Sequence, residues 1–490
     1  MCHVEILWAE ETLPLAAAQQ MRAGQVLYRD VWFDKPPFAP MLYTALGGEA
    51  GWRLRVAGAL YAWLCCGIAW GFARDLWGRR EGFWCAGLLG FFLIFDFPSS
   101  AIPLAADQLM LAPHLAAVWM AYRRRPLWAG ALAGVAFTIS PKGALVLAVC
   151  VWWAPSWALL AGFVGITGAA SAWMWSAGAL GGYWDEVWRW GRVYAGTTFV
   201  DAPLKNGFLR TLNWAGFHAA IVIAAVGQAS WPVGPRPPGT DETAMDFRRL
   251  LPEIRWQSRL SPGPHAERRR WLVWLAISFA GVAAGLRFFP RYYFQLLPVV
   301  VLLAARGFAE MRGRRRLLAL LLLIPLARFA PTYFMAVRDV AWRDTAMDRD
   351  SRAAARLVSA LAQPGDTLFV WGFRPEIYVY SHLPAATRFL DSQPLTGVPA
   401  DRHLTQSTPL ETREPLARRA EVAASRPTFV VDGLGGYNRR LAVTEFGDLR
   451  AWMAQYCEVG RSAGSVIYRR EQSPSGPEGT PSGLRSEPRP

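Results

Sequence analysis

The sequence predicts a polytopic α-helical membrane protein with a C-terminal extracytoplasmic α/β domain, and three observations lead to this prediction. Apolar residues make up 53% of the 490 residues, yet the mean hydropathy is only +0.16. This combination indicates a strongly apolar part joined to an ordinary polar part. Tryptophan occurs 25 times, often beside apolar runs, as expected for indoles at the membrane interface. The arginines gather in short connectors between the same runs.

About ten apolar segments, seven of them of roughly bilayer length, define a membrane domain over residues 52–336. They cover 55–73, 81–97, 102–122, 211–230, 271–289, 292–309 and 317–336, with three more between 126 and 178 that are separated at Pro141 and Pro155. Arginine-rich connectors favour the cytoplasmic side. The alternation then places residues 1–51, the turns at 98–101 and 141–142, the loop 179–210 and everything after 337 on the extracytoplasmic side. It places a linker over 231–270 in the cytoplasm.

The net charge of +15 does not indicate a nucleic-acid partner. The basic residues form short clusters next to apolar runs, for example Arg123 to Arg125 and Arg312 to Arg316. A protein that follows a phosphate backbone carries its charge as a stripe or patch instead. Four of the six cysteines fall inside apolar segments, so the spacing predicts neither a disulfide framework nor a zinc site.

The region 337–470 alternates β-type runs with helical patterns, which predicts an α/β domain. The predicted strands are Thr367–Trp371, Ile377–Tyr380, Thr428–Val431 and Ser465–Tyr468, and the predicted helices cover 346–362, 413–425 and 440–455. The serine- and proline-rich end, 471–490, has the composition of a disordered tail.

The first 51 residues form an external loop with surface helices and carry the most informative pattern. Glu10 and Glu11 precede a helical run, Leu13–Ala23, which ends at Gly24 and is suited to lie on the membrane. Lys35 follows in front of a proline pair. A carboxylate can accept a proton from an acceptor hydroxyl, and a fixed cation can neutralise a leaving phosphate. The alternative is a solvated helix start, favoured by the helix dipole, followed by a simple turn.

Lysine is rare, and its positions support the first interpretation. Only three of the 52 basic residues are lysines, namely Lys35, Lys142 and Lys205. The topology places all three outside. A chain that otherwise uses arginine can keep lysine where a compact ammonium group is preferred.

Two further segments place polar residues at the outer ends of apolar spans. Asp107 is a candidate because carboxylates near the membrane are costly, although water can also reach an interfacial aspartate. Arg291 with Tyr293 can hold a phosphate, or these side chains can simply anchor the interface. Asp348 and Asp350 match an Asp-x-Asp metal motif, but they lie in a predicted polar helix, so no metal site is predicted.

These residues occur in an order that resembles a known family. Glu10-Glu11 is followed by Tyr28-Arg29-Asp30 and Lys35-Pro36-Pro37, and later segments at 103–108, 129–134 and 292–298 continue the pattern. The chain resembles the protein O-mannosyltransferase and lipid A aminoarabinose transferase branch of the GT-C glycosyltransferases. The resemblance covers most of 8–336, and region 337–470 resembles the external domain of many bacterial members.

The resemblance implies a membrane glycosyltransferase that moves a sugar from a polyprenyl phosphate to an acceptor hydroxyl, with inversion. Glu10 takes the catalytic-base position and Asp107 is the second acidic residue of the cavity. Substrate binding falls to Glu11, Lys35, Arg291 and Tyr293, with Lys35 on the donor phosphate. No cofactor is required beyond the lipid-linked donor, and a divalent metal is left open.

The implied partners are a polyprenyl-phosphate sugar, a glycan, lipid or protein acceptor and the lipid bilayer, with no nucleic acid. The implied location is the bacterial plasma (inner) membrane, with the active site and C-terminal domain extracytoplasmic.

The chain departs from the family pattern in two respects. The acidic pair is Glu-Glu where the family commonly has Asp-Glu. The resemblance also implies a transmembrane helix before this pair, whereas the residues from Met1 to Ala9 are too few to span a bilayer, since spanning takes about 20 residues.

Two other functions fit parts of the pattern. A transporter or flippase for a lipid-linked or anionic substrate would favour charges at mid-membrane and a helix repeat, whereas the charges here gather at one edge. A non-catalytic assembly protein would use its spans as an anchor and its external domain for a partner.

Overall fold

The structure, a computed structural model, describes residues 4–196, 202–229, 264–338, 340, 343–398 and 412–471. Most of the predicted linker 231–270 and the predicted tail beyond residue 471 lie outside the described residues.

The N-terminal part of the chain is helical. Its first helices are α1 (Ala9–Arg22), α2 (Phe38–Ala45), α3 (Trp52–Trp77), α4 (Arg79–Phe92), α5 (Pro98–Ala101), α6 (Ala106–Leu109), α7 (Leu111–Tyr122), α8 (Pro126–Ile139), α9 (Gly143–Trp153) and α10 (Trp157–Ser176). There follow α11 (Leu180–Tyr183), a π-helical turn (Trp184–Arg189), α12 (Trp190–Gly196), α13 (Pro203–Phe217), α14 (Ala219–Ala229), α15 (Pro264–Ala283), a 3₁₀ helix (Pro290–Gln295), α16 (Leu297–Glu310), α17 (Arg315–Leu321) and α18 (Leu323–Val337).

Several of these helices have the length and composition of membrane spans. Among the described residues, four qualify: Trp52–Trp77, Trp157–Ser176, Glu267–Leu286 and Arg315–Val337. The bent pair Pro203–Phe217 and Ala219–Gly227, which turns by 89°, makes five if it counts as one span. Helices lie at all ten predicted segments, but several are too short to qualify as membrane spans. The predicted number of spans therefore stays a prediction. By length and composition, these helices suit a location in a membrane.

The apolar stretch 126–178 folds as the two prolines predict. It forms the two short helices α8 and α9 and the longer α10, with breaks at Pro141 and Pro155. Helices α8 and α10 approach closely because Gly130 and Gly134 face the second helix. A Cβ atom on Gly130 would lie 1.8 Å from the backbone oxygen of Leu159. Small residues commonly allow such approaches between membrane helices, and this packing places the turn at 140–142.

Region 343–471 contains the predicted α/β domain. Its elements are α19 (Arg343–Leu361), β1 (Leu368–Trp371), α20 (Glu376–Ser381), α21 (Gln393–Thr396), α22 (Arg413–Ala424), β2 (Phe429–Asp432), α23 (Arg450–Met453), β3 (Tyr456–Arg461) and β4 (Val466–Arg470). The four strands form one sheet in the order β1-β2-β4-β3, in which β1 and β2 are parallel and the other pairs antiparallel. Strands β1 and β2 are fully buried.

Two secondary-structure predictions in this domain were wrong. Residues Ile377–Tyr380, predicted as a strand, belong to helix α20, which starts after Pro375 and packs against α19 and α1. Ile377, Tyr378 and Val379 are buried there, so tertiary packing outweighs their local β propensity. The predicted helix 440–455 is a series of short helical turns, and the mostly exposed edge strand β3 follows it. Strand β3 was not predicted, because its residues are largely polar and its pairing with β4 is irregular at Gly460.

Helix α1 begins at Ala9 rather than at Leu13, and it is not an exposed surface helix. Leu13 and Leu15 through Ala18 are buried, because α1 packs against α2 and against α20 of the C-terminal domain. The predicted end is confirmed, since Gly24 has φ +93°, a conformation that suits glycine after a helix. The α/β domain therefore rests directly on the segment that carries Glu10.

Candidate functional site

Five charged side chains from separate segments meet at one end of the apolar helices. Glu10 comes from the first turn of α1, Lys35 from the loop before α2, Asp107 from α6, Lys142 from the turn before α9, and Arg291 from the 3₁₀ helix after α15. Four of these, Glu10, Lys35, Asp107 and Arg291, are among the six residues predicted for the site. We call these five residues the charge cluster.

Arg291 links the two acidic residues of the charge cluster. Its guanidinium group forms an ion pair with Glu10, and its Nε lies 3.5 Å from Asp107 Oδ2. The other Asp107 oxygen lies 3.3 Å from Lys142 Nζ. One arginine and one lysine thus bracket Asp107, and the same arginine reaches Glu10.

The charge cluster is partly open to solvent. The exposed fractions of the side chains are 15% for Glu10, 13% for Asp107, 24% for Arg291, 18% for Lys142 and 39% for Lys35. A ligand can therefore reach these groups, while their partial burial keeps charge interactions stronger than in bulk water.

Lys35 contacts Asp34, with its Nζ 3.1 Å from Asp34 Oδ1. Burial lowers the pKa of the Lys35 ammonium group, but the nearby carboxylates of Asp34 and Glu10 outweigh this effect and raise the pKa above its usual value. Lys35 is therefore a cation throughout the neutral range, as a phosphate-binding group must be.

The loop that carries Lys35 is held in place by two other parts of the chain. Tyr28, which has the unusual φ of +67°, donates its hydroxyl to the backbone oxygen of Lys35 at 2.7 Å. Arg388 of the C-terminal domain donates to the backbone oxygen of Tyr28 at 3.2 Å and forms an ion pair with Glu186. Glu186 in turn accepts from the backbone N–H of Phe33 at 2.8 Å. The C-terminal domain therefore helps to fix the position of Lys35.

Glu11 does not join the charge cluster. Its side chain is fully buried, and its two carboxylate oxygens accept from Arg55 at 2.6 and 2.9 Å. One of them also accepts from the backbone N–H of Trp8 at 2.9 Å, which caps the start of α1. The structure therefore places Glu11 in a buried ion pair with Arg55 and not among the residues of the charge cluster.

Tyr293 does not join the charge cluster either, whereas its neighbour Tyr292 lies beside two of the cluster's cations. The Tyr293 hydroxyl lies 2.9 Å from that of Thr211, and its ring stacks on Trp214. The Tyr292 ring, in contrast, lies 3.5 Å from Lys142 Nζ and 5.5 Å from the Arg291 guanidinium carbon. Sequence reasoning also left Lys142 out of the site, although its rarity and its outer position were signals for it.

The arrangement suits an anion with several oxygens. Each of the three cations, Lys35, Lys142 and Arg291, contacts a carboxylate, so a phosphate can bind them by replacing one of these carboxylates as the partner. Within the described segments, no group of three or more His, Cys, Asp or Glu side chains is placed to hold a metal ion.

Comparisons with known proteins identify the fold. No family model matches the chain, and no curated protein matches it in sequence. The crystal structure of ArnT from Cupriavidus metallidurans in the apo state aligns with 95% of this chain and 94% of its own, at 13% identity and a TM-score of 0.55. The chain has the GT-C fold.

A second GT-C structure agrees with the first. ArnT from the same organism bound to undecaprenyl phosphate aligns with 96% of this chain and 95% of its own, at 15% identity and a TM-score of 0.56. The alignment thus extends over both the helical part and the α/β domain. The GT-C fold inferred from the order of short motifs is therefore confirmed.

Proposed function

We propose that this GT-C protein is a membrane glycosyltransferase that moves a sugar from a polyprenyl phosphate to an acceptor hydroxyl, with inversion. The observation that carries the proposal is the charge cluster, which gathers two carboxylates and three cations from five segments. The fold adds support, since ArnT in one of the aligned structures binds undecaprenyl phosphate. The acceptor class, whether glycan, lipid or protein, stays open in this proposal.

The donor phosphate binds to Lys35, Lys142 and Arg291. Lys35 is the most exposed of the three, and its loop is fixed from two sides. Arg291 presents a planar fork that matches phosphate geometry. As the phosphate binds, it competes with Glu10 for Arg291, and the Glu10 carboxylate turns to the acceptor.

The transfer is a single displacement. The acceptor oxygen forms a bond to the anomeric carbon of the sugar while Glu10 takes the hydroxyl proton. The bond between that carbon and the phosphate oxygen breaks, and its electron pair stays on the polyprenyl phosphate. Lys35 and Arg291 neutralise the charge that grows on this leaving group, which is commonly a large contribution to catalysis. Asp107 orients Arg291 and Lys142.

The location follows from the same proposal. The charge cluster lies on the extracytoplasmic side of a bacterial plasma membrane, together with the α/β domain that contacts α1. The arginine-rich connectors at the opposite helix ends support this orientation.

Lys35→Ala tests the donor site. We expect it to weaken the binding of undecaprenyl phosphate to the purified full chain by about tenfold, because a cation that contacts the phosphate is removed. Isothermal titration in detergent micelles measures the affinity. Lys205→Ala is the matched control, since Lys205 is an exposed lysine outside the charge cluster. Equal affinity of the Lys35 variant and the wild type would contradict the assigned site.

A further inference from the structure

A second basic site lies behind the charge cluster, on the other side of the 3₁₀ helix Pro290–Gln295. Arg291 and Tyr292 face the cluster, whereas Pro290 and Tyr293 line a separate cavity of about 250 Å³. The cavity lies between this helix, α13 and α18. It is therefore a distinct cavity that shares one wall with the proposed active site.

Two arginines from different helices line this cavity. Arg210 comes from α13 and Arg328 from α18. Within the described part of the chain, neither forms an ion pair, and the hydrogen bond of Arg210 is a long one, 3.4 Å, to Asn206 on its own helix. Both side chains are exposed. Their guanidinium groups are thus available to a ligand.

The position of Arg328 is costly without an anionic partner. It lies in the candidate span Arg315–Val337, which has a mean hydropathy of 1.8, about 14 Å along the helix from its last residue. Ionisable residues within an apolar span are rare and commonly mark a functional site.

The rest of the cavity combines aromatic walls with one paired carboxylate. Trp214, Phe217 and Phe329 line it. Asp96, also in the lining, faces the buried His218, with 3.3 Å between Asp96 Oδ2 and His218 Nε2. Two arginines against one carboxylate leave the cavity with a net positive charge. Its walls suit hydrocarbon, and its arginines suit an anion.

We infer that this cavity binds the phosphate group of a membrane lipid other than the glycosyl donor. Its volume is below the range of about 300–1,000 Å³ that is common for complete small-molecule ligands, so it suits a headgroup whose chains remain in the bilayer. Arg210 and Arg328 hold the phosphate from two helices, and the aromatic side chains contact the first part of the lipid chains. The site does not depend on the proposed transferase activity.

Thermal unfolding of the full chain in detergent micelles tests this inference with three probes. Dioleoyl phosphatidic acid is expected to raise the unfolding temperature, because a ligand of the folded state stabilises it. Dioleoylglycerol lacks the phosphate, and inorganic phosphate lacks the chains. Each is expected to raise the unfolding temperature less than phosphatidic acid does. Arg210→Gln and Arg328→Gln should each weaken the apparent affinity for phosphatidic acid about tenfold, the typical value of a charge-assisted hydrogen bond.

Two further variants act as controls. Arg316→Gln removes an exposed arginine at the other end of the same span and should leave the affinity unchanged, while Arg328→Lys should retain part of it. An unchanged response in the Arg210→Gln and Arg328→Gln double variant would overturn the inference. So would an equal response to dioleoylglycerol or to inorganic phosphate. A response lost in Lys35→Ala but kept in the double variant would place the lipid in the donor site and refute a second one.

Discussion

Glu10→Gln is expected to abolish sugar transfer while the protein remains folded and inserted in the membrane. The substitution keeps the shape of the side chain but removes the group that takes the acceptor proton. General base catalysis typically contributes 10²–10⁴-fold to a rate, so we expect a loss of about 1,000-fold in kcat. The affinity for undecaprenyl phosphate should not fall, because the substitution removes a carboxylate that competes with the phosphate for Arg291.

Initial rates of sugar transfer in proteoliposomes measure this effect. Glu49→Gln is the matched control, since Glu49 is an exposed glutamate in the same N-terminal segment. A Glu10→Gln variant that transfers sugar within a few-fold of the wild type would refute the base assignment, even if the fold and the donor site were right.

Glu11→Gln is expected to act on stability instead. Glu11 is fully buried and bonds Arg55, whose side chain is 6% exposed. Removing one partner of a buried ion pair leaves the other charge uncompensated, which costs about 3–5 kcal/mol. Because Gln retains one hydrogen-bond acceptor, we expect a loss of about 3 kcal/mol in the free energy of unfolding.

Reversible denaturation of the Glu11→Gln variant and the wild type in mixed micelles measures the difference in the free energy of unfolding. The double variant Glu11→Gln with Arg55→Met should recover most of the lost stability, since an apolar pair often replaces a buried ion pair at little cost. If the Glu11→Gln variant were as stable as the wild type but bound the donor much more weakly, Glu11 would have a substrate-binding role instead.

The opposite expectations for Glu10 and Glu11 follow from helix geometry. Successive residues on an α-helix project about 100° apart, so two adjacent carboxylates cannot both face one small cavity. The sequence contains this information once the helix is known to include the pair. It was missed because the predicted helix began at Leu13, whereas α1 begins at Ala9.

Other parts of the site were less accessible to sequence reasoning. The topology, inferred from arginine placement, put Glu10, Lys35, Asp107 and Arg291 on one side, and the structure brings all four together. The topology could not show which of Tyr292 and Tyr293 faces the charge cluster, because the short 3₁₀ helix that carries them turns by about 120° per residue. Nor could it show the contact of Arg388 with the loop of Lys35.

The fold was predictable where local signals were strong. Pro141 and Pro155 divide the stretch 126–178 as expected, since proline interrupts helices for local steric reasons. Residues 376–381 were not predictable in this way. Their β-type composition is overruled by packing between α19 and α1, which is a long-range effect.

The proposed transferase takes its sugar from a polyprenyl phosphate, and the charge cluster transfers it. The most direct measurement is transfer of the sugar from a panel of radiolabelled undecaprenyl-phosphate sugars to glycan, lipid and protein acceptors by the purified wild-type chain in proteoliposomes, with nucleotide sugars as the comparison donors. We predict transfer from at least one lipid-linked donor without any nucleotide sugar, and none in the Glu10→Gln variant. Transfer from a nucleotide sugar alone, or equal transfer by the variant, would contradict the account.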